Sequence, residues 1–257
     1  MLTPPEIARS LLAVGESKAR LPFGKMLLLA ILAGAYIALA GVGATAAAVT
    51  VESGSLAKLL SACVFPAGLS MVILAGSELF TGNCLMVMAL LERRITPAQL
   101  LRNWLTVYLG NAVGGAAVAA LAVYSHTASL FGDGLARSMV SIAESKAALG
   151  FGDAFLRGVL CNFLVCLAVW MAAASKRAEG KVIALFFPIL LFVLCGYEHC
   201  IANLYYLPAG AFAAAEYGMG TTLTLAGCLK NLAAVTLGNL VGGAALGVGY
   251  RFAYLKE

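Results

Sequence analysis

Two stretches of the chain share an unusual pattern inside apolar surroundings: AGSELFTGN at residues 75–83 and CGYEHCIAN at residues 195–203. Both follow the spacing Gly-x-Glu-x-x-x-x-Asn. The shared positions are Gly76, Glu78 and Asn83 in the first stretch and Gly196, Glu198 and Asn203 in the second. Such residues are poor choices for the middle of an apolar helix, because glycine weakens a helix and a buried charge is costly. The two stretches therefore predict that two long apolar segments are interrupted at equivalent points.

The composition indicates that the surrounding segments lie in a membrane. The chain of 257 residues is 62% hydrophobic and 11% charged, whereas about a quarter of the residues of a soluble domain are charged. A helix needs about 20 apolar residues to cross a bilayer, and six segments are long enough. They are residues 26–49, 59–90, 103–124, 155–174, 182–214 and 226–250. We expect an all-α integral membrane protein with six transmembrane helices, embedded in a lipid bilayer.

A second pair of similar stretches follows the first pair. Residues 109–117 read LGNAVGGAA and residues 237–245 read LGNLVGGAA. The chain therefore consists of two related halves of three spans each, and the second half enters the membrane from the opposite side. Such a 3+3 inverted repeat, with broken second and fifth helices, is typical of transporters whose substrate sites lie at the breaks. The expected divisions are a cytoplasmic amphipathic helix at 1–25 and one transmembrane channel domain at 26–257, with repeat 1 at 26–124 and repeat 2 at 155–250.

The polar residues at the breaks divide into those that repeat and those that do not. Irregular backbone inside a membrane needs buried partners for its polar groups. We therefore expect the repeated glutamates to accept hydrogen bonds from freed backbone N–H groups. The repeated residues expected to be structural are Glu78, Asn83, Glu198 and Asn203. Thr81 and His199 have no counterpart in the other half, where Ile201 and Leu79 stand instead. An asymmetric function is expected at these two positions.

The remaining special residues favour structure over chemistry. Together with Gly110 and Gly238, the glycine pairs Gly114–Gly115 and Gly242–Gly243 give the four-residue spacings Gly110/Gly114 and Gly238/Gly242. Such spacing favours close packing between helices. The seven cysteines form no CxxC pair, and histidine occurs only twice. We therefore expect no metal site and no cofactor.

The distribution of lysine and arginine predicts the orientation. With six spans both termini lie on one side, and that side carries the larger share of positive charge, which the positive-inside rule places in the cytoplasm. Lys18, Arg102, Lys181 and the C-terminal Lys256 are among the residues on that side. We expect a multi-pass protein of the cytoplasmic (inner) membrane of a prokaryote. The net charge of +5 is scattered over separate short loops, so it does not indicate nucleic-acid binding.

Four stretches resemble the signatures of the formate/nitrite transporter family. They are SELFTGN at 77–83, LCNFLVCLAVWMA at 160–172, GYEHCIAN at 196–203 and VTLGNLVGG at 235–243. The resemblance extends in order over essentially the whole chain. It implies an aquaporin-like homopentamer with one pore in each protomer. Such pores pass small monovalent anions such as formate, nitrite, hydrosulfide or lactate.

Matching the motifs residue by residue assigns the pore. Thr81 resembles the threonine on the loop that breaks the second helix, His199 the single histidine of the central pore, and Asn162 the asparagine near it. Lys146, in the predicted loop 125–153, resembles the lysine that makes the site electropositive. The residues that resemble the apolar constrictions are Phe65, Leu69, Leu79, Phe80 and Phe192.

The expected function is a channel for small monovalent anions, with formate ranked first and nitrite and then hydrosulfide as alternatives. Lys146 would attract the anion, and Thr81 and Asn162 would donate hydrogen bonds to it. Histidine titrates near neutrality, so we expect His199 to pass protons to the anion at low pH. The alternative of a different class is an integral membrane enzyme. It fits poorly, because the sequence offers no nucleophile paired with a base and no metal cluster.

Overall fold

The computed structural model describes residues 1–255, and over that range it is all-helical, with no β-strand. Lys256, which entered the charge count above, lies outside the described residues. Two short 3₁₀ turns occur at Cys84–Met86 and Thr127–Ser129. The α-helices are α1 (Pro4–Ala19), α2 (Phe23–Ala48), α3 (Gly54–Val64), α4 (Pro66–Ala75), α5 (Phe80–Asn83), α6 (Val87–Leu91), α7 (Pro97–Tyr124), α8 (Gly134–Ala148), α9 (Phe151–Ala173), α10 (Ala178–Leu194), α11 (Cys200–Glu216) and α12 (Leu225–Tyr254).

The N-terminal helix α1 is packed onto the rest of the domain. At its start the Glu6 carboxylate accepts hydrogen bonds from both the backbone N–H and the hydroxyl of Thr3, each at 2.7 Å. This arrangement satisfies one of the backbone donors at the helix start. Ile7 and Leu12 are buried in a cluster that also contains Met88 of α6. The amphipathic segment therefore buries its apolar face against other helices of the chain.

Five stretches are long and apolar enough to cross a membrane: α2, α3 with α4 (Gly54–Ala75), α7, α9 and α12. The segment 182–214, expected to be the broken fifth span, forms two helices. These are α10 and α11, each of 17 residues, or about 25 Å long at 1.5 Å per residue. Each is shorter than the apolar core of a bilayer, which is about 30 Å thick.

Both predicted interruptions are present. Gly76 ends α4 with φ of 80°, and Gly196 follows α10 with φ of 69°. The left-handed conformation is open to glycine without the cost that a Cβ would bring. Three non-helical residues follow each glycine, and helices α5 and α11 then begin at Phe80 and Cys200. The repeated glycine of the sequence pattern is thus the residue that turns the chain out of the helix.

Glycines also set the spacing between the long helices. α2 packs along α7, and α9 packs along α12. A Cβ on Gly114 would overlap the carbonyl oxygen of Ile31, and a Cβ on Gly242 would overlap that of Val159. The packing role predicted for the glycine pairs is confirmed, because only a residue without a side chain permits these backbones to approach so closely.

The segment 125–153 is not the loop that the sequence suggested, because it contains α8. Leu135, Met139 and Ala143 recur at every fourth residue and are buried. This spacing places them on one face of a helix, which packs against α11 and α12. The helix is too short and too polar to be recognised as a membrane span. Lys146 therefore occupies a fixed position on a helix.

Candidate functional site

The side chains of Thr81 and His199 join the two helix breaks by direct contact. The Thr81 Oγ1 atom lies 2.9 Å from His199 Nε2, and both side chains are buried. His199 also caps α11, because its Nδ1 accepts the backbone N–H of Ala202 at 3.1 Å. Since Nδ1 is an acceptor, the proton of the neutral imidazole lies on Nε2, which donates to Thr81 Oγ1. The hydroxyl proton of Thr81 is then free to be donated elsewhere.

Three cavities lie in series near this pair; His199 lines two of them, and Thr81 lines none. The α1 vestibule, about 400 Å³, is lined by residues of α1, α4, α9 and α10, including Lys18. The central chamber, about 10 Å³, is lined by apolar side chains and His199. The α8 vestibule, about 130 Å³, is lined by residues of α2, α3, α8, α10 and α11, including Lys146. The central chamber has room for about one water molecule, so it is the narrowest part of the series.

Apolar side chains separate the three cavities. Leu69 and Leu79 line both the α1 vestibule and the central chamber. Phe65 and Phe192 line both the central chamber and the α8 vestibule. Their rings meet edge to face with centroids 5.6 Å apart, and Phe192 stacks on the His199 ring at 5.8 Å. Four of the five side chains that the resemblance assigned to constrictions thus stand at the two partitions.

Phe80, the fifth of these side chains, lies elsewhere. It lines none of the three cavities. Its ring packs edge to face against Tyr108 at 5.1 Å and Trp104 at 6.4 Å, both on α7. Phe80 therefore packs against α7 and lies at neither partition between the cavities. Because Phe80 starts α5 just after the break, its direction depends on a turn that the sequence motif does not reveal.

Each glutamate at a break forms a buried ion pair with a lysine from a distant helix. Lys18 Nζ of α1 lies 2.7 Å from Glu78 Oε1, and Lys146 Nζ of α8 lies 2.9 Å from Glu198 Oε1. The lysine side chains are 23% and 15% exposed, and the glutamate side chains 7% and 6%. A buried carboxylate is tolerated when such a partner compensates for its lost hydration. The charge of Lys146 is therefore already matched by Glu198.

The second oxygen of each carboxylate accepts a hydrogen bond from an asparagine, which is itself bonded to a second asparagine. Glu78 Oε2 accepts from Asn83 Nδ2 at 2.8 Å, and the same amide group donates to Asn103 Oδ1 at 2.9 Å. In the second half, Asn203 Nδ2 donates to Glu198 Oε2 and to Asn231 Oδ1, both at 2.7 Å. The four residues expected to be structural at the breaks thus lie together in two matching networks.

Two asparagines, rather than the glutamates, accept from the backbone freed at the breaks. Asn111 Oδ1 accepts the N–H of Phe80 at 3.0 Å, and Asn239 Oδ1 accepts the N–H of Cys200 at 2.9 Å. The Nδ2 group of Asn111 donates to the carbonyl of Glu78, and that of Asn239 donates to the carbonyl of Glu198. The sequence analysis missed both residues, although each is the asparagine of a repeated LGN stretch.

Asn162 lines none of the three cavities and instead bonds to the backbone of the site. Its Nδ2 donates to the carbonyl oxygen of Thr81 at 3.2 Å and to that of Asn239 at 2.7 Å. The side chain is fully buried, and its two amide hydrogens are occupied by these bonds. The expectation that it donates to an anion does not fit this geometry. It fixes the loop that carries Thr81.

A signal for the ion pairs was present in the sequence but was not recognised. Residues 16–19 read ESKA, and residues 144–147 read ESKA as well. Asn103 Nδ2 lies 3.5 Å from the carbonyl of Lys18, and Asn231 Nδ2 donates to that of Lys146 at 2.8 Å. Helices α1 and α8 therefore make matching contacts with matching residues, one in each half.

Comparisons with known proteins identify the family of the chain. A family model described as formate/nitrite transporter matches residues 5–253. The chain belongs to the formate/nitrite transporter family. Its members are multi-pass membrane transporters, so the resemblance noted above is confirmed.

Relatives and solved structures are similar over nearly the full length. The "Probable formate transporter" of Methanothermobacter thermautotrophicus is 38% identical, with 99% of this chain and 98% of the relative covered. "Formate channel FocA" of Escherichia coli K12 is 34% identical, with 100% and 96% covered. A solved "FNT family ion channel" has a TM-score of 0.86 at 32% identity, covering 96% of this chain and 98% of that one. A "Pentameric formate channel with formate bound" has a TM-score of 0.80 at 33% identity, covering 91% and 98%.

Proposed function

We propose that the chain forms a channel that conducts formate through the three cavities. The observation that carries the proposal is the series itself: two vestibules separated by a one-water chamber beside the Thr81–His199 pair. Relatives named as formate channels and formate transporters support formate as the first substrate. Nitrite and then hydrosulfide are the alternatives, because all three are small and carry a single negative charge.

The proposed architecture is a six-span inverted repeat with broken second and fifth helices. The matching networks of the two halves support it. They also favour longer repeats than the sequence suggested, in which α1 opens the first half and α8 opens the second. We propose that five such chains assemble around a common axis. Large apolar side chains exposed on the monomer, such as Leu105 and Leu109, are available to neighbouring chains or to lipid.

In the proposed permeation path, an anion loses most of its water at an apolar partition. Hydrophobic constrictions with a few polar groups are an established source of channel selectivity. Leu79 separates the chamber from the α1 vestibule, and Phe192 separates it from the α8 vestibule. Between them the free hydroxyl proton of Thr81 offers a hydrogen bond that compensates in part for lost hydration. Asn162 acts indirectly, since it holds the Thr81 backbone in place.

Proton coupling at low pH is proposed to depend on His199. When the imidazole binds a proton, Nε2–H can pass a proton through the Thr81 hydroxyl to a carboxylate. The products are neutral imidazole and the neutral acid, which crosses an apolar partition more easily than an anion does. Forming the imidazolium requires Nδ1 to release the Ala202 N–H that it accepts in the neutral state. Coupling should therefore appear only in acidic solution, and above that range the bare anion would pass.

The proposed location is the cytoplasmic membrane of a prokaryote, with both termini in the cytoplasm. In that orientation the α1 vestibule opens to the cytoplasm. The membrane-enzyme alternative would need a metal or an activated nucleophile. Metal analysis of the purified protein would test it, since bound metal in stoichiometric amount would favour the enzyme.

The test is uptake of formate, nitrite and hydrosulfide into liposomes that contain the purified protein, across pH 5 to 8. We expect formate flux well above that of empty liposomes, rising as pH falls. His199→Asn should remove the pH dependence, while Thr81→Ala should lower the flux at every pH. If none of the three anions enters faster than in empty liposomes, the proposed function is wrong.

A further inference from the structure

A fourth cavity, which we call the mouth cavity, adjoins the α8 vestibule. Its volume is about 550 Å³, and it is lined by the end of α2, by α3 and α8, and by the loop before α8. It shares the lining residues Thr45, Ser61 and Ile142 with the α8 vestibule. Pockets that hold small ligands usually measure about 300–1,000 Å³. The mouth cavity is therefore large enough for a ligand that lies across the entrance to the vestibule.

Arg137 of α8 is the only charged residue among the described residues that line the mouth cavity. It is exposed, and none of the ion pairs within residues 1–255 includes it. Its Nη2 donates to the carbonyl of Gly132 at 2.6 Å, which holds the guanidinium at the cavity wall. A guanidinium has five N–H groups, so several remain for a ligand. Two of them together fit a carboxylate through parallel hydrogen bonds.

Two hydroxyl groups of the same lining are also available to a ligand. Ser141 lies one helical turn after Arg137 on α8, and Thr50 lies just after the end of α2. Within residues 1–255 neither side chain forms a hydrogen bond, whereas the hydroxyl of Ser138 donates to the carbonyl of Gly134. Both Ser141 and Thr50 are exposed. Each can therefore donate a hydrogen bond to an anion that is bound at the guanidinium.

An apolar surface lies beside these polar groups. Ala48, Val49 and Phe131 line the cavity together with Arg137. Phe131 is 52% exposed and has φ of 61°, a conformation that is unfavourable for a bulky side chain. Strain of this kind is common in residues that contact ligands. The cavity thus combines a site for a carboxylate with a surface for a short carbon chain.

The first half of the chain repeats the sequence but not this lining. Residues 8–10 and 136–138 both read ARS, so Arg9 of α1 is the equivalent of Arg137. Arg9 lines neither the α1 vestibule nor the mouth cavity. Ala13 stands where the second half has Ser141. The pairing of an arginine with a free hydroxyl is therefore a departure from the repeat.

We propose that the mouth cavity binds a short dicarboxylate, with one carboxylate on Arg137, and that this ligand blocks the entry of formate from the α8 side. The blocking rests on the proposed function, whereas the binding does not. The carbon chain would lie against Phe131. The second carboxylate would lie toward the α8 vestibule, where Lys58 takes part in none of the ion pairs within residues 1–255. The central chamber has room for about one water molecule, so the ligand would bind without crossing.

The first experiment measures binding by calorimetric titration of succinate, a short dicarboxylate, into the purified protein. We expect Arg137→Gln to weaken binding about tenfold, and Ser141→Ala to weaken it about threefold, because each removes a hydrogen-bond donor. Arg137→Lys should lie between the unaltered protein and Arg137→Gln, since lysine keeps the charge but cannot donate two parallel bonds.

Two controls separate a built site from general attraction between charges. Arg9→Gln removes the equivalent arginine of the first half and should leave succinate binding unchanged. Succinamide, which has the same carbon chain but no charge, should not bind.

The second experiment measures formate uptake into liposomes with succinate present. Succinate in the outer solution should inhibit only those channels whose α8 side faces outward, and succinate on both sides should inhibit all of them. Arg137→Gln should relieve the inhibition and leave uptake without succinate unchanged. Labelled succinate should not enter faster than it enters empty liposomes.

Several results would overturn the inference. The binding site would be refuted by an unaltered protein that does not bind succinate, by equal binding to Arg137→Gln, or by equal binding of succinamide. The block would be refuted by binding without inhibition, or by rapid entry of labelled succinate. An unaltered protein that binds succinate but moves no formate would remove the proposed function and the block, while the binding site would stand.

Discussion

The two helix breaks share one scaffold but differ at two positions. Each has the same glutamate–lysine pair and the same asparagine acceptor for the first N–H of the new helix. Yet Leu79 stands where the other half has His199, and Ile201 stands where the other half has Thr81. The scaffold is therefore twofold, while the chamber is asymmetric. Residues that repeat hold the backbone, and residues that depart from the repeat are the ones that we propose meet the substrate.

The largest effect is expected from removing one carboxylate of the scaffold. Glu198→Gln leaves Lys146 charged, largely buried and unpaired, which costs up to about 3–5 kcal/mol of unfolding free energy. Glu78→Gln should cost less, because Lys18 is more exposed than Lys146. Unfolding followed by circular dichroism in detergent would measure both.

The matched control for this pair is the double variant Lys146→Gln with Glu198→Gln, which removes both charges and should recover part of the loss. Equal stability of Glu198→Gln and the unaltered protein would contradict the importance of the pair.

The next largest effect concerns the asparagines that accept backbone N–H groups. Asn111→Ala and Asn239→Ala each leave a buried N–H without its acceptor, at a cost of about 1–3 kcal/mol. Because the two residues make the same set of bonds, their losses should agree within about 1 kcal/mol. Unfolding free energies of the two variants, measured side by side, would test how closely the scaffold is twofold. A loss in only one of them would mean that the halves are not equivalent.

The third effect concerns the asymmetric positions and should appear in flux. Thr81→Val keeps the shape of the side chain and removes its hydroxyl. We expect about a tenfold loss of formate flux, which corresponds to about 1.4 kcal/mol. The matched control is Ile201→Val at the equivalent position of the other half, which should leave flux unchanged. Comparable losses in the two variants would show that the site does not depend on the hydroxyl.

The smallest effect comes from another pair of equivalent residues with different partners. Glu16 lies 3.7 Å from Arg94, whereas Glu144 accepts from the backbone N–H of Thr222 at 2.6 Å and from the Thr221 hydroxyl at 2.9 Å. These two hydrogen bonds, with the backbone bond the stronger influence, hold the pKa of Glu144 below its ordinary value. The stabilisation is present above the ordinary carboxylate pKa and is lost as pH falls through the lowered one.

Amide exchange at Thr222 would measure this loss. It should speed up as pH falls below about 4.5, after correction for the intrinsic pH dependence of exchange. Glu144→Gln should remove that extra acid sensitivity. A loop that opens equally in both proteins would show that the carboxylate does not hold it.

The sequence predicted features that repeat at short range, and it missed features that depend on distant contacts. The glycine turns at Gly76 and Gly196 were predictable because each break is encoded in nine residues. Comparison of the halves singled out Thr81 and His199, although it did not predict their direct contact. The pair between Lys18 and Glu78 could not be predicted from the break alone, because the lysine lies on another helix.

Other misses have a physical reason as well. Helix α8 was overlooked since its short amphipathic pattern does not resemble a membrane span. Phe80 was misplaced because the first residue after a turn can point to either side of the new helix. Asn162 has an amide that could donate hydrogen bonds to an anion, but its two N–H groups already donate to backbone carbonyl oxygens. The sequence reveals which hydrogen-bond donors are present, whereas only the fold determines which of them lack an acceptor within the protein.

The bonds from Asn162 and Cys166 to the carbonyl of Thr81 have a consequence for biosynthesis. Both donors lie on α9, which leaves the ribosome long after the loop that they hold. The first three spans can enter the bilayer and form their own ion pair, but the Thr81 loop must wait for its support. A nascent chain arrested before α9 should therefore lack both donors to the Thr81 carbonyl.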